Sequence, residues 1–262
     1  VVTPIRDQGS NGNCWAFASL ASLESCILKA TGAAYDLSEE NMKDLMAKFS
    51  SYGWQMVTNT GGYDRMGHAY LTSWLGPVNE TQDRYIIGSV FSPFLSSIFH
   101  VQNILFLTRT SYTDNDEIKR VIMSYGAVST SIHWYQSGPE SEKDGYTNYY
   151  INGKNIYWYR TDKGANHAVA IVGWDDNYSK NNFKTTPPGD GAWIIKNSWG
   201  TGSGDKGYYH VSYYDTKLAQ LNSPYTTYVF LFNESIKYDK NYQYDVSGRT
   251  DFFLNESNTV TT

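Results

Sequence analysis

Gln8-Gly9-Ser10-Asn11-Gly12-Asn13-Cys14-Trp15-Ala16-Phe17 puts one cysteine where a turn-rich loop becomes a helix. From Trp15 to Ala30 the apolar residues Phe17, Leu20, Leu23, Ile27 and Leu28 recur at helical spacing. Gly9, Gly12, Asn11 and Asn13 before them are turn and capping types. Cys14 is therefore expected to open the helix, and Thr31-Gly32 to end it. At a helix start the unpaired N–H groups and the positive end of the macrodipole favour thiolate over thiol, lowering a pKa that is otherwise about 8.5. The second cysteine, Cys26, lies mid-helix beside Ile27 and Leu28 and reads as inert core. The two thiols are 26 − 14 = 12 residues apart, about 18 Å of helix axis, so no bridge between them is expected.

Composition narrows the classes. The chain has 262 residues, 40% hydrophobic and 18% charged, which suits one broad domain or two lobes with real cores. A formal charge of −5 with no lysine or arginine cluster disfavours a nucleic-acid partner. The most apolar run, Tyr85 to Leu107, is interrupted by Pro93, His100, Gln102 and Asn103. It reads as a partly buried connection and not as a membrane span. No cluster with metal-ligand spacing is present, so neither metal nor cofactor is expected.

In chain order, residues 1 to about 80 read as helical. Leu37-Ser38-Glu39-Glu40-Asn41-Met42 starts a second helix with Ser38 as N-cap and acids in the first turn. A connection fills about 81–112, and Asp116 to Tyr125 is a short helix. Strands are expected at Ala127–Trp134, at Asn166–Trp174 with His167 at its entrance, at Gly191–Gly200 running into a Gly-rich turn, at Gly207–Tyr213 and at Tyr225–Phe232. Helices followed by strands indicate an α+β fold.

Taken together, the residues Gln8, Cys14, Asn59-Thr60-Gly61-Gly62-Tyr63, Asn166-His167-Ala168 and Asn197-Ser198-Trp199-Gly200 resemble the papain family of cysteine peptidases in order and spacing. The resemblance covers residues 1–232. It implies two lobes, a helical one over about 1–80 and an antiparallel, β-barrel-like one over about 113–232, with the active-site cleft between them. It implies no cofactor, with protein or peptide substrates and an inhibitory pro-segment as partners. By resemblance Cys14 is the nucleophile, His167 its base and later the general acid, and Asn197 the group that orients the imidazole. Gln8, with the Cys14 N–H, makes the oxyanion hole. Pre-placed donors are needed there because a thiolate adding to a peptide carbonyl puts negative charge on oxygen. Trp15 and Trp199 are implied as supports, Trp199 shielding the His167–Asn197 contact. Gly61 and Gly62 are implied to meet the substrate main chain. Tyr63, Asp64, Ser131, Ala165, Asn166 and Ala168 line the pocket region for the residue two before the scissile bond. Asp64 and Ser131 make that lining more polar than papain's, so a weaker demand for a bulky apolar side chain follows.

Two departures stand out. The family staples the loop before its nucleophile with a disulfide, and the matching positions here are Asn11 and Asn59. The separation from Cys14 to His167 is 167 − 14 = 153, above the roughly 130 to 150 of papain-type chains, with insertions expected at 85–110 and 176–190. Residues 233–262 lie beyond the resemblance. They look like the link to a lectin-like domain in some bacterial and archaeal surface proteases, or else like a tail on the β lobe. A secreted or cell-surface endopeptidase made as a zymogen is the reading. A cell-wall peptide amidase or isopeptidase, and a catalytically silent binding module on the same fold, remain its alternatives.

Overall fold

A computed structural model describes residues 1–134, 150–151, 154–159, 161, 163–232, 241–242, 253–254 and 260–261. Helix α1 (Cys14–Thr31) runs through the middle and closes on Gly32, whose φ of 75° gives the left-handed turn expected after Thr31. Buried residues occupy nearly every face of α1. Its small residues let other elements come close, and their hydroxyls bind across to them. Ser22 Oγ donates to the Ala127 carbonyl at 2.8 Å, Ser25 Oγ to the Val1 carbonyl at 2.7 Å, and Ser19 Oγ meets Tyr228 Oη at 3.1 Å.

Helix α2 (Glu39–Leu45) starts at Ser38, whose Oγ accepts from Asn41 N at 3.0 Å as the sequence predicts. Every residue of α2 is buried although most are polar. Lys43 Nζ lies 3.0 Å from Glu40 Oε1 and 2.8 Å from Asp44 Oδ1, all buried, so the charges offset one another. Helix α3 (Asp64–Thr72) follows the Gly61-Gly62 turn. Leu20, Leu23, Ile27, Met42, Met66, Tyr70 and Leu71 form the helical core, each aliphatic side chain adding about 1.5–3 kcal/mol by burial.

The expected connection holds a strand that its mixed pattern hides. β1 (Asn103–Phe106) has two exposed and two half-buried residues. Helix α4 (Asp116–Tyr125) has the predicted bounds. Then come β2 (Val128–Ile132), β3 (Tyr150–Ile151), β4 (Asn155–Ile156), β5 (His167–Asp175), β6 (Ala192–Lys196), β7 (Tyr208–Ser212) and β8 (Thr227–Leu231). They form one sheet in the order β1-β8-β2-β5-β6-β7-β4-β3. The barrel-like, antiparallel expectation is refined here. The sheet is open, and β4 runs parallel to β7.

Its core is Val128, Ile132, Val169, Ile171, Trp193, Ile195 and Val211, with Ile118 and Val121 of α4. β5 packs on α1 and pairs with β2 and β6, which sets the ends of β5 and β6 against the start of α1. Of the C-terminal stretch, Asn241 Nδ2 donates to the Thr72 carbonyl of the helical lobe at 2.8 Å. The rest of 233–262 lies outside the described residues apart from the exposed Tyr242 and a short pairing of Phe253–Leu254 with Val260–Thr261. Among the described residues no helix is long and apolar enough to cross a membrane.

Candidate active site

Cys14 is the first residue of α1, with Asn13 at the N-cap. Asn13 does not cap with its side chain. Its Nδ2 instead reaches Asn59 Oδ1 at 2.9 Å and Tyr85 Oη at 3.1 Å. α1, opened by Cys14, packs on β5, whose first residue is His167, and the Ala168 backbone N–H is among the groups that favour the Cys14 thiolate. His167 is 7% exposed, and its Nε2 lies 2.7 Å from Asn197 Oδ1, just past the end of β6. An amide oxygen only accepts, so Nε2 carries the proton and Nδ1 is the acceptor of the ring.

Aromatic rings close over this pair. Trp199 stacks on His167 with centroids 4.7 Å apart, and Trp134 meets His167 edge-on at 5.3 Å and Trp199 at 4.5 Å. Trp199 was expected there. Trp134 was not: in sequence it is one more apolar residue at the end of a strand, and its alternating position gives only burial.

Burial also sets the charge states. It pushes the Cys14 thiol up, reinforced by the Asp64 carboxylate and opposed by the N–H groups of Ala168, Trp15 and Cys14 itself. It drags the His167 imidazolium down to about 4, against the hydrogen bond to Asn197. The N–H groups at the helix start favour the thiolate, as the sequence implies, and desolvation outweighs them. A lone thiolate at Cys14 and a lone imidazolium at His167 are each disfavoured by burial.

Gln8 is buried, with its main-chain N–H donating to the Ser198 carbonyl at 2.8 Å. Its Oε1 accepts from Ser198 Oγ at 2.6 Å, and Nε2 donates to the Asn11 carbonyl at 2.6 Å. The amide is thereby fixed in orientation, and one N–H remains for a ligand. Opposite, Gly12 N donates to the Asn59 carbonyl at 2.9 Å. A Cβ on Gly12 would stand 2.6 Å from Gly61 N. The two loops that the family joins by a disulfide are therefore joined here by hydrogen bonds and close backbone contact, and Cys14 and Cys26 are free thiols.

Gly61 needs its φ of +117°, whereas Gly62 is glycine for a reason the sequence did not offer. A Cβ there would sit 2.2 Å from Trp15 Nε1, so the indole beneath forbids a side chain as firmly as an approaching substrate would. Tyr63 is exposed at the head of α3. Asp64 Oδ2 accepts from Ser131 Oγ at 3.3 Å and Oδ1 from Tyr228 Oη at 3.5 Å. Ser131 pairs with Ala168 across β2 and β5, so these three residues meet beside Cys14. Burial raises the Asp64 carboxyl to about 6, with both hydroxyls opposing. Ala165 is exposed on the turn before β5. The Asn166 side chain is committed, Oδ1 accepting from Trp134 N at 2.6 Å and Nδ2 donating to the Trp134 carbonyl at 2.8 Å. It braces β2 against the start of β5, and, as in Gln8, one amide N–H remains beyond these two bonds.

Residues 1–229 match the model of the papain family of cysteine proteases. Chicken (Gallus gallus) cathepsin K is 30% identical over 208 residues, 79% of this chain and 54% of its own length. Aleurain, a thiol protease of Arabidopsis thaliana, is 28% identical over 80% of this chain and 52% of its own. Among solved structures, the cysteine protease and lectin-like domains of Cwp84, a surface layer associated protein of Clostridium difficile, superpose with a TM-score of 0.74. The identity is 31%, over 87% of this chain and 49% of the other. This chain thus spans about half the length of the curated relatives it matches. With that match over most of its length, the chain belongs to the papain family of cysteine proteases.

Proposed function

We propose that this chain is the catalytic domain of a cysteine endopeptidase. The observation that carries the reading is the buried 2.7 Å contact of His167 Nε2 with Asn197 Oδ1, beside a thiol at a helix start. His167 Nδ1 takes the Cys14 proton as Sγ adds to the scissile carbonyl, and the oxyanion is held by the Cys14 N–H and the remaining Gln8 Nε2 hydrogen. The imidazolium then protonates the leaving amine, and a thioester to Cys14 remains. Water, deprotonated by His167, hydrolyses it. Asn197 keeps the ring in one tautomer, and Trp199 and Trp134 keep water from that bond.

The peptide main chain lies along Gly61-Gly62, held by Trp15 below, and the preceding side chains enter beside Tyr63, Asp64, Ser131, Ala165 and Ala168. Asn166 stands at the same turn, its amide bonded to the Trp134 main chain with one N–H remaining. Among the described residues the Asp64 carboxylate is bonded by the Ser131 and Tyr228 hydroxyls and by no cation. The pocket therefore suits a polar or cationic side chain better than a bulky apolar one. Processing of extracellular or surface proteins, by an enzyme released from an inhibitory pro-segment, is the biological setting we infer. Its support is the likeness to Cwp84, described as surface layer associated and solved after propeptide cleavage.

The test is hydrolysis of unfolded casein under reducing conditions, with Cys14→Ala as control and an epoxide thiol inhibitor as titrant. The expected result is cleavage by the wild type, none by the variant, and one inhibitor bound at Cys14. Wall-peptide digestion without casein cleavage would move the assignment to an amidase. A thiol no more reactive than free cysteine, with no hydrolysis, would make the chain a binding module.

A further inference from the structure

The connection between the lobes delivers one hydroxyl to the loop ahead of Cys14. Tyr85 Oη donates to the Gln8 carbonyl at 3.0 Å and accepts from Asn13 Nδ2 at 3.1 Å and from Asn11 Nδ2 at 3.4 Å. Its ring meets Phe17 of α1 edge-on at 5.0 Å. The segment carrying it is anchored in turn. Tyr85 N donates to Glu80 Oε1 at 2.8 Å and Ile86 N to Glu40 Oε2 at 2.9 Å, and Lys43 Nζ donates to the Ser89 carbonyl at 3.1 Å. Glu40 and Lys43 belong to the buried face of α2, so Tyr85 is fixed to the helical core and not to solvent. Two of the buried polar residues of α2, Glu40 and Lys43, are thereby engaged in this anchoring.

The loop so gripped runs between the two donors of the oxyanion hole, the Gln8 amide at one end and the Cys14 N–H just after Asn13 at the other. No disulfide spans it, since Asn11 and Asn59 stand at the stapling positions. One hydroxyl touches both ends, at the Gln8 carbonyl and the Asn13 side chain, and the Gln8 amide itself bends back onto the Asn11 carbonyl within the same loop. We propose that Tyr85 is a positioning residue for the oxyanion hole, setting the spacing of its two donors in place of a covalent staple. It rests on the peptidase reading above and touches no substrate. Its chemical consequence is that the geometry of the hole does not depend on the redox state of the surroundings.

Tyr85→Phe removes the hydroxyl and keeps the ring against Phe17. The kcat for a peptide amide should fall about 10-fold with KM changed less than about twofold, since the donors act on the transition state. Alkylation of Cys14 by iodoacetamide, which forms no oxyanion, should keep its rate and pH profile. In a Gln8→Ala background the same substitution should cost less than about twofold, because its effect runs through Gln8. An unchanged kcat, an alkylation rate that falls with hydrolysis, or the full loss repeated on Gln8→Ala overturns the proposal. If thermal melting shows Tyr85→Phe unfolded, Asn13→Ala, which removes a donor to the same hydroxyl, must give the same separation of hydrolysis from alkylation, and a parallel fall in both overturns the proposal equally. A wild type that cleaves no peptide and alkylates no faster than free cysteine removes the peptidase reading along with this one. An active wild type with an indifferent Tyr85→Phe removes this one alone.

Discussion

The two walls of the cleft are built by different physics. On the sheet side, His167 and Asn197 stand at the ends of neighbouring strands whose register is fixed by the β5–β6 ladder, and Trp199 and Trp134 bury them. On the helix side, Gln8, Cys14 and Gly62 sit on loops or at a helix start. Side-chain hydrogen bonds from Asn13, Asn59 and Tyr85, and the Trp15 indole under Gly62, hold them. A ladder spreads its load over many backbone bonds, while a loop depends on a few named contacts. Substitutions should therefore change chemistry on the sheet side and geometry on the helix side.

Trp199→Ala probes the sheet side and should have the largest effect. Opening the His167–Asn197 contact to water should lower kcat/KM by about 10- to 100-fold. It should also move the acid limb of the pH–rate profile. Burial now holds His167 at about 4, so exposing the ring lets its pKa rise toward about 6.5 and the limb moves to higher pH. An acid limb that stays near pH 4 in Trp199→Ala would mean that burial by this ring is not what sets His167.

Gly62→Ala probes the helix side. With Trp15 3% exposed and its Nε1 only 2.2 Å from the new methyl, the turn or the indole must shift, at about 1–3 kcal/mol of stability. Calorimetry should show a lower Tm, and kinetics a KM raised several-fold with a smaller change in kcat. Equal falls in kcat and kcat/KM would place Gly62 in the chemistry, contrary to the contrast drawn here.

Asp64→Asn tests the place where the walls meet, at the Asp64–Ser131 contact. Between its ordinary carboxylate range and about 6 the folded protein binds a proton that the unfolded chain has lost. Asp64 burial therefore lowers stability as pH rises through that window, and the cost is fully present above it. The amide should relieve up to about 3 kcal/mol at pH 7 and nothing near pH 3.5, measured by denaturant unfolding. For the wild type, preference for Lys over Leu two residues before the cleaved bond should grow severalfold from pH 5 to 7, and Asp64→Asn should abolish that growth. A wild-type preference that is flat with pH would detach Asp64 from substrate selection.

Legibility followed the range of the interactions. Cys14, His167 and Asn197 each stand at an end of a strongly patterned element, so local sequence marked their setting, while the resemblance to the papain family singled out the residues. β1 was hidden because four residues with no clean alternation carry little signal, and β8, more than a hundred residues later, decides that they pair. Trp134 and Tyr85 were hidden because their partners, His167 and Gln8, lie far away in sequence. A lone aromatic in a strand end or an irregular connection has no period to betray its role.

The sequence by itself determined the two-part order of helices and strands, the helix that presents Cys14, the free state of two cysteines too far apart to pair, and the identities of the groups that gather in the cleft. The tertiary structure alone decided that burial outweighs the helix start in setting the Cys14 thiol, that the Asn166 side chain bonds the Trp134 main chain, and that Gly62 answers to Trp15. It also decided that a tyrosine stands where a disulfide was missing. Patterning and capping act over a few residues and are written in the chain, whereas desolvation, packing and long-range hydrogen bonds exist only once distant segments exclude water together.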